Sequence, residues 1–126
     1  MKEIAKGDPV MHVWWGTRVE CVSAVSRLER FEHRIALGEV TVAMERLERI
    51  SGNWLEVAPS EIIRHVAQRL LRTHNLRAGD ALQLAAALSA CEGYPSGMEF
   101  ICLDARLNDA ASREGFRVVN PVASGA

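Results

Sequence analysis

The sequence predicts one α/β domain spanning residues 1–126, a parallel sheet with helices on both of its faces. Two observations predict it. Short apolar runs fall at 11–15, 53–59, 99–104 and 116–121, and the segments between them carry apolar residues at three- and four-residue steps. Strand-like and helix-like segments therefore alternate, as crossover connections between parallel strands require. With 126 residues, 48% of them hydrophobic, the chain can fill one core.

Residues 1–10, MKEIAKGDPV, read as a loose end closing on Gly7, Asp8 and Pro9. MHVWW (11–15) follows as a strand apolar on both faces, which suits the middle of a covered sheet and sends Trp14 and Trp15 to opposite sides. A first helix begins at Thr17 on the stripe Val22, Val25, Leu28, Phe31 and Ile35, and Gly38 ends it. Val40, Ala43, Met44, Leu47 and Ile50 mark a second helix that reaches Ser51 and Gly52. NWLEVAP (53–59) is a strand stopped by Pro59, and Ser60 caps a third helix on Ile63, Val66, Ala67 and Leu70. The alanine–leucine segment LRAGDALQLAAAL (76–88) holds a fourth, starting near Asp80. GYPSG (93–97) is a loop, EFICLD (99–104) a strand, RLNDAASREG a short helix closed by Gly115, and FRVVNP a last strand. The tail from 121 reads as loose.

Composition narrows the function classes. A formal net charge of −1 supplies no long-range basic field. Of the 15 basic side chains only Lys2 and Lys6 are lysines, so arginine dominates. Arginine is the better fork for phosphate, although a GC-rich genome produces the same bias. Three cysteines without a C-x-x-C pair fit a reducing cytosol and argue against a disulfide framework or zinc cluster. The four histidines show no ligand spacing and read as surface or boundary residues. No run approaches the ~20 apolar residues of a membrane span, and no signal peptide opens the chain. The expectation is a soluble, cytoplasmic protein.

Three acids stand out by position. Glu20 lies in the first helical turn after the first strand, Asp104 ends the strand EFICL, and Asp80 opens its helix. Residues just past the carboxyl ends of parallel strands line one shared crevice. Clustered carboxylates without histidine or cysteine suit a hard cation such as Mg²⁺ or Mn²⁺. Each acid equally suits a helix start: Thr17-x-x-Glu20 and Asp80-x-x-Gln83 have the form of capping boxes, and Asp104 that of an N-cap. Pattern alone leaves the two roles about even. If the three serve as ligands, their carboxyl groups converge within reach of one hydrated cation.

These segments resemble motifs of the PIN-domain family, specifically the VapC-type toxins of bacterial toxin–antitoxin pairs. WWGTRVECVSAVSRLER is similar to a strand running into a helix that bears an acid, here Glu20; AGDALQLAAAL is similar to the motif whose aspartate is Asp80; and FICLDARLNDAASREGFRVV is similar to the closing motif, with Asp104. The resemblance covers about residues 11–120. It implies a PIN-like three-layer fold and a Mg²⁺- or Mn²⁺-dependent endoribonuclease. It further implies a homodimer acting on RNA and held by a VapB-type antitoxin. Glu20, Asp80 and Asp104 would be the catalytic metal ligands, with Asp109 a weaker fourth. Arg18 and Arg106 are the residues placed to meet phosphate, Arg106 more naturally as solvated helix surface.

Family members open with a strand ending in an aspartate, and no segment before His12 supplies that strand and its following helix. Cys102 stands where a hydroxyl residue is frequent. The departures predict exposed strand edges that make residues 1–126 unstable or self-associating, and weak metal-dependent cleavage that an upstream strand with its aspartate would restore. The alternative is a PIN-like binding module that dimerises or holds an antitoxin without cutting. An acidic-pocket receiver or flavodoxin-like domain would need a glycine-rich phosphate loop or a late lysine, and the sequence has neither.

Overall fold

In a computed structural model, residues 11–31 and 35–119 are described. The expected loose segments 1–10 and 121–126 lie outside them. The element order is β1 (His12–Trp14), α1 (Thr17–Arg30), α2 (Leu37–Ser51), β2 (Leu55–Val57), α3 (Glu61–Thr73), α4 (Ala78–Ala90), β3 (Glu99–Ile101), α5 (Ala105–Glu114) and β4 (Arg117–Val119). This is the strand–helix order that the periodicity predicts. The strands are three residues each and form two two-stranded sheets, β1 with β2 and β3 with β4. The described residues thus make a mixed α/β structure, with no single four-stranded sheet. No described helix is long and apolar enough to cross a membrane.

The chain divides into two compact units, one up to Glu56 and one from Val57 onward. In the first, α1 packs against α2 and the Arg18 guanidinium meets the Glu48 carboxylate. The backbone N–H of Leu55 donates to the Met11 carbonyl at 2.8 Å where β2 meets β1. Neither helix has a fully buried side chain.

Two boundaries differ from expectation here. α1 stops at Arg30, so Ile35 lies beyond it, and Gly38 does not end that helix but is the second residue of α2. Glu39 explains the restart: its carboxylate accepts from the Ala36 N–H at 2.9 Å, filling one of the orphan donors of a helix N-terminus. Trp15 also falls outside β1, in the turn before α1, and meets Trp14 edge-on with ring centroids 6.5 Å apart. The pair therefore does not straddle a sheet. A Cβ added to Gly38 would meet nothing within 4 Å. Gly38→Ala is accordingly expected to raise stability by about 0.5–1 kcal/mol, through reduced freedom of the unfolded chain. Urea titration of the two proteins checks this.

The second unit holds the core. Ser60 caps α3, its hydroxyl accepting from the Ile63 N–H at 3.2 Å. Ile63, Ala67 and Leu70 then recur on one face and are buried. α4 answers with Ala81, Leu84, Ala85, Ala86 and Leu88, all buried. α3 and α4 form the most extensive helix pair, and Leu70 on one and Leu84 on the other are fully buried.

α5 lies between β3 and β4 in sequence and buries Leu107, Ala110 and Ala111. β3 and β4 run parallel, pairing Glu99 with Arg117, Phe100 with Val118 and Ile101 with Val119. The Phe100 and Phe116 rings pack 5.5 Å apart. α5 ends at Gly115, whose φ of 113° is left-handed, as a helix stop demands.

Glu114 joins the ends of α3 and α5. Both of its oxygens accept from Arg69, at 3.0 and 3.1 Å, and His74 Nε2 donates to it at 2.7 Å. The Arg69 bond, aided by the one from His74, holds the Glu114 carboxyl below its ordinary value of 4.5 against the opposing effect of burial. A depressed folded value means that this carboxylate stabilises the fold above the unfolded pKa and loses that effect as pH falls through the folded one. The chain is therefore expected to lose stability on acidification through and below about pH 4.5. Glu114→Gln should flatten that dependence in thermal unfolding followed by circular dichroism.

Candidate acidic site at Asp80 and Asp104

Asp104 is the N-cap of α5, as its position after a strand predicts. One of its oxygens accepts from the Leu107 N–H at 3.0 Å, and the residue remains exposed. Its own N–H donates to Cys102 Sγ at 3.3 Å. Asp80 is not the first residue of its helix. α4 begins at Ala78, with Arg77 as N-cap, and Asp80 sits in the third helical position. From there its carboxylate reaches back to the Arg77 N–H at 3.4 Å, so Asp80 supplies the acidic half of a helix start rather than its cap.

The two carboxylates act on one thiol. Burial pushes the Cys102 thiol above its usual 9.0, the Asp104 N–H partly offsets this, and the negative charges of Asp104 and Asp80 push it further up. The bond from the Asp104 N–H fixes the thiol at the start of α5. Among the described residues no three acid, histidine or cysteine side chains come together closely enough to hold one metal ion.

Asn108 completes this corner, and sequence reasoning did not single it out. Its amide donates to the Cys102 carbonyl at 2.8 Å, while its Oδ1 is buried with no hydrogen-bond partner among the described residues. The signal available in the sequence is spacing: Asn108 lies one helical turn after Asp104 on α5, and its backbone N–H donates to the Asp104 carbonyl at 2.9 Å. A buried, unpartnered amide oxygen is costly, by about 1–3 kcal/mol. A hydrated cation or a water would satisfy it.

The remaining candidates fall elsewhere. Glu20 belongs to the unit up to Glu56, in the first turn of α1, where its N–H donates to the Gly16 carbonyl at 3.1 Å. Thr17 is not the cap that a capping box requires: Gly16 is the N-cap, without a side-chain cap bond, and Thr17 is already helical. Arg18, in the same unit, is engaged by Glu48. Asp109 pairs with Arg113 at 3.0 Å along the exposed side of α5. Arg106 is exposed in the first turn of that helix. His74 is a half-buried boundary residue held by Glu114, and Cys21, Cys91 and Cys102 are free thiols.

No protein-family model matches the chain, and no curated protein matches it by sequence.

Because Asp104 caps α5 by its side chain, Asp104→Ala is expected to cost about 1 kcal/mol, whereas Asp104→Asn, which keeps an acceptor oxygen, should cost far less. Comparing the two in urea titrations separates the cap from the charge.

Proposed function

We propose that the chain is a PIN-like, VapC-type endoribonuclease that uses Mg²⁺ or Mn²⁺, acts in the cytoplasm as a homodimer and is held by a VapB-type antitoxin. What supports this reading is that Asp80 and Asp104, two acids that the sequence places in separate motifs, both stand at helix starts within one compact unit. On this reading the fold is the PIN-like three-layer one that the resemblance implies. Hard cations favour oxygen donors of this kind.

The chemistry follows from charge. A phosphodiester is anionic, so attack by water requires neutralisation at phosphorus and stabilisation of the departing oxygen. A divalent ion held by carboxylates supplies both. Asp80 and Asp104 would fix such an ion, while their helix-start hydrogen bonds hold each carboxylate in one orientation. Their backbone partners leave acceptor capacity on each carboxylate for a ligand role.

Incubating the purified chain with single-stranded RNA and Mn²⁺ tests the proposal. The expected result is slow cleavage that is lost with chelator. Mn²⁺ titrated into the protein should bind, and bind more weakly to Asp80→Asn. A chain that binds no divalent ion and cuts no RNA, yet captures a VapB-type antitoxin, would replace this reading with the binding module.

A further inference from the structure

α5 carries two arginines, Arg106 and Arg113, seven residues apart. Seven residues fall within about 20° of two full helical turns, so both leave the same side of the helix, about 10 Å apart along its axis. That side, together with Thr73 at the end of α3 and His74 and Asn75 after it, lines a groove of about 450 Å³.

The groove's acids are already matched. Asp109, the carboxylate in its lining, accepts from Arg113 at 3.0 Å. His74 is turned to Glu114 at 2.7 Å, and Glu114 is in turn held by Arg69. The Thr73 hydroxyl donates to the Arg69 carbonyl at 3.0 Å. Arg106 has no acidic partner among the described residues. Two guanidinium groups against one carboxylate leave an excess positive charge in a concave surface that also offers the Asn75 amide. Such a surface selects an anion, and guanidinium forks match phosphate oxygens.

We propose that this groove binds the backbone of a single-stranded RNA, with separate phosphates on Arg106 and Arg113. The spacing favours a chain of phosphates over one: forks about 10 Å apart along a helix exceed the span of a single phosphate group. That the polyanion is RNA rests on the ribonuclease reading, since Arg106 stands two residues after Asp104 and a strand in the groove would lead to the acid pair.

Fluorescence anisotropy of a labelled single-stranded RNA with the whole chain, in EDTA so that nothing is cut, tests it. Arg106→Ala is expected to weaken binding about ten-fold, uniformly across sequences, and to reduce the salt slope by about 0.7 for each phosphate no longer neutralised. Asp109→Asn frees Arg113 and should tighten binding by about three-fold. Arg64→Ala removes an exposed arginine of α3 that pairs with Glu61 outside the groove, and should change nothing. Circular dichroism confirms that each variant folds. Equal binding by the parent, Arg106→Ala and Asp109→Asn would overturn the proposal, as would full competition by equimolar inorganic phosphate. The two readings separate cleanly. Manganese-dependent cutting with variant-independent binding removes the groove alone, and the expected binding pattern without any cutting removes the nuclease alone.

Discussion

Leu84→Ala is expected to lower the stability of the chain's second unit by about 3 kcal/mol. Leu84 is fully buried on α4, the helix that packs most extensively against α3. Its neighbours on the helix, Ala81, Ala85 and Ala86, are buried too and already small, so they have no side chain to swing into the void. The loss therefore includes both the transfer of the missing methyl groups and a cavity that stays open. For a unit of this size the melting temperature should fall by about 10–20 °C. Val22→Ala, in a helix without a fully buried side chain, should cost less than about 1 kcal/mol. Thermal unfolding followed at 222 nm compares them. Similar costs for the two substitutions would show that the stability of the chain is not concentrated around α4.

Asp80→Asn and Asp104→Asn should each reduce Mn²⁺-dependent RNA cleavage by about 100-fold or more. The argument turns on what asparagine keeps. Its side-chain oxygen can still accept from the Arg77 N–H at position 80 and from the Leu107 N–H at position 104, the two bonds the aspartates make. Helix starts are preserved while the negative charge that would hold a cation is removed. Loss of cleavage with unchanged unfolding temperature therefore identifies ligands. Unchanged cleavage by both variants would leave the two acids as helix-start residues and nothing more. Combining the substitutions should cost little beyond either alone, because groups that hold one ion fail together.

The place of α3 in the order of elements was legible because its stripe, Ile63, Val66, Ala67 and Leu70, repeats at helical steps. Ser60, Asp104 and Gly115 were legible as start and stop signals because capping is local chemistry. Sheet organisation was not. A three-residue strand carries too little alternation to state its partners, so four apolar runs suggested one sheet where the described residues pair in two. The break between α1 and α2 was read but placed too late, at Gly38, because the stripe runs past Phe31 to Ile35 while the restart depends on the Glu39 carboxylate accepting from the Ala36 N–H. Asp80 was legible as a helix-start acid but misplaced by two residues, since Ala78 and Gly79 give no boundary signal. The Arg69–Glu114–His74 cluster was invisible for another reason. Its members lie on different elements, and no local spacing encodes a bond across 40 or 45 residues.

Gly115 has a consequence for what variation this chain can accept. Its φ of 113° penalises every L side chain, and a Cβ there would also come 3.0 Å from Pro95 Cγ. The two obstacles are independent: relaxing the loop around Pro95 would leave the backbone angle, and relaxing the angle would break the stop of α5. In a library covering every codon, position 115 should return glycine almost alone after selection for folded protein. Gly38, with open space around it, should return alanine and other good helix formers. Two glycines that look alike on the page would then differ as widely as any two positions in their tolerance of inherited change.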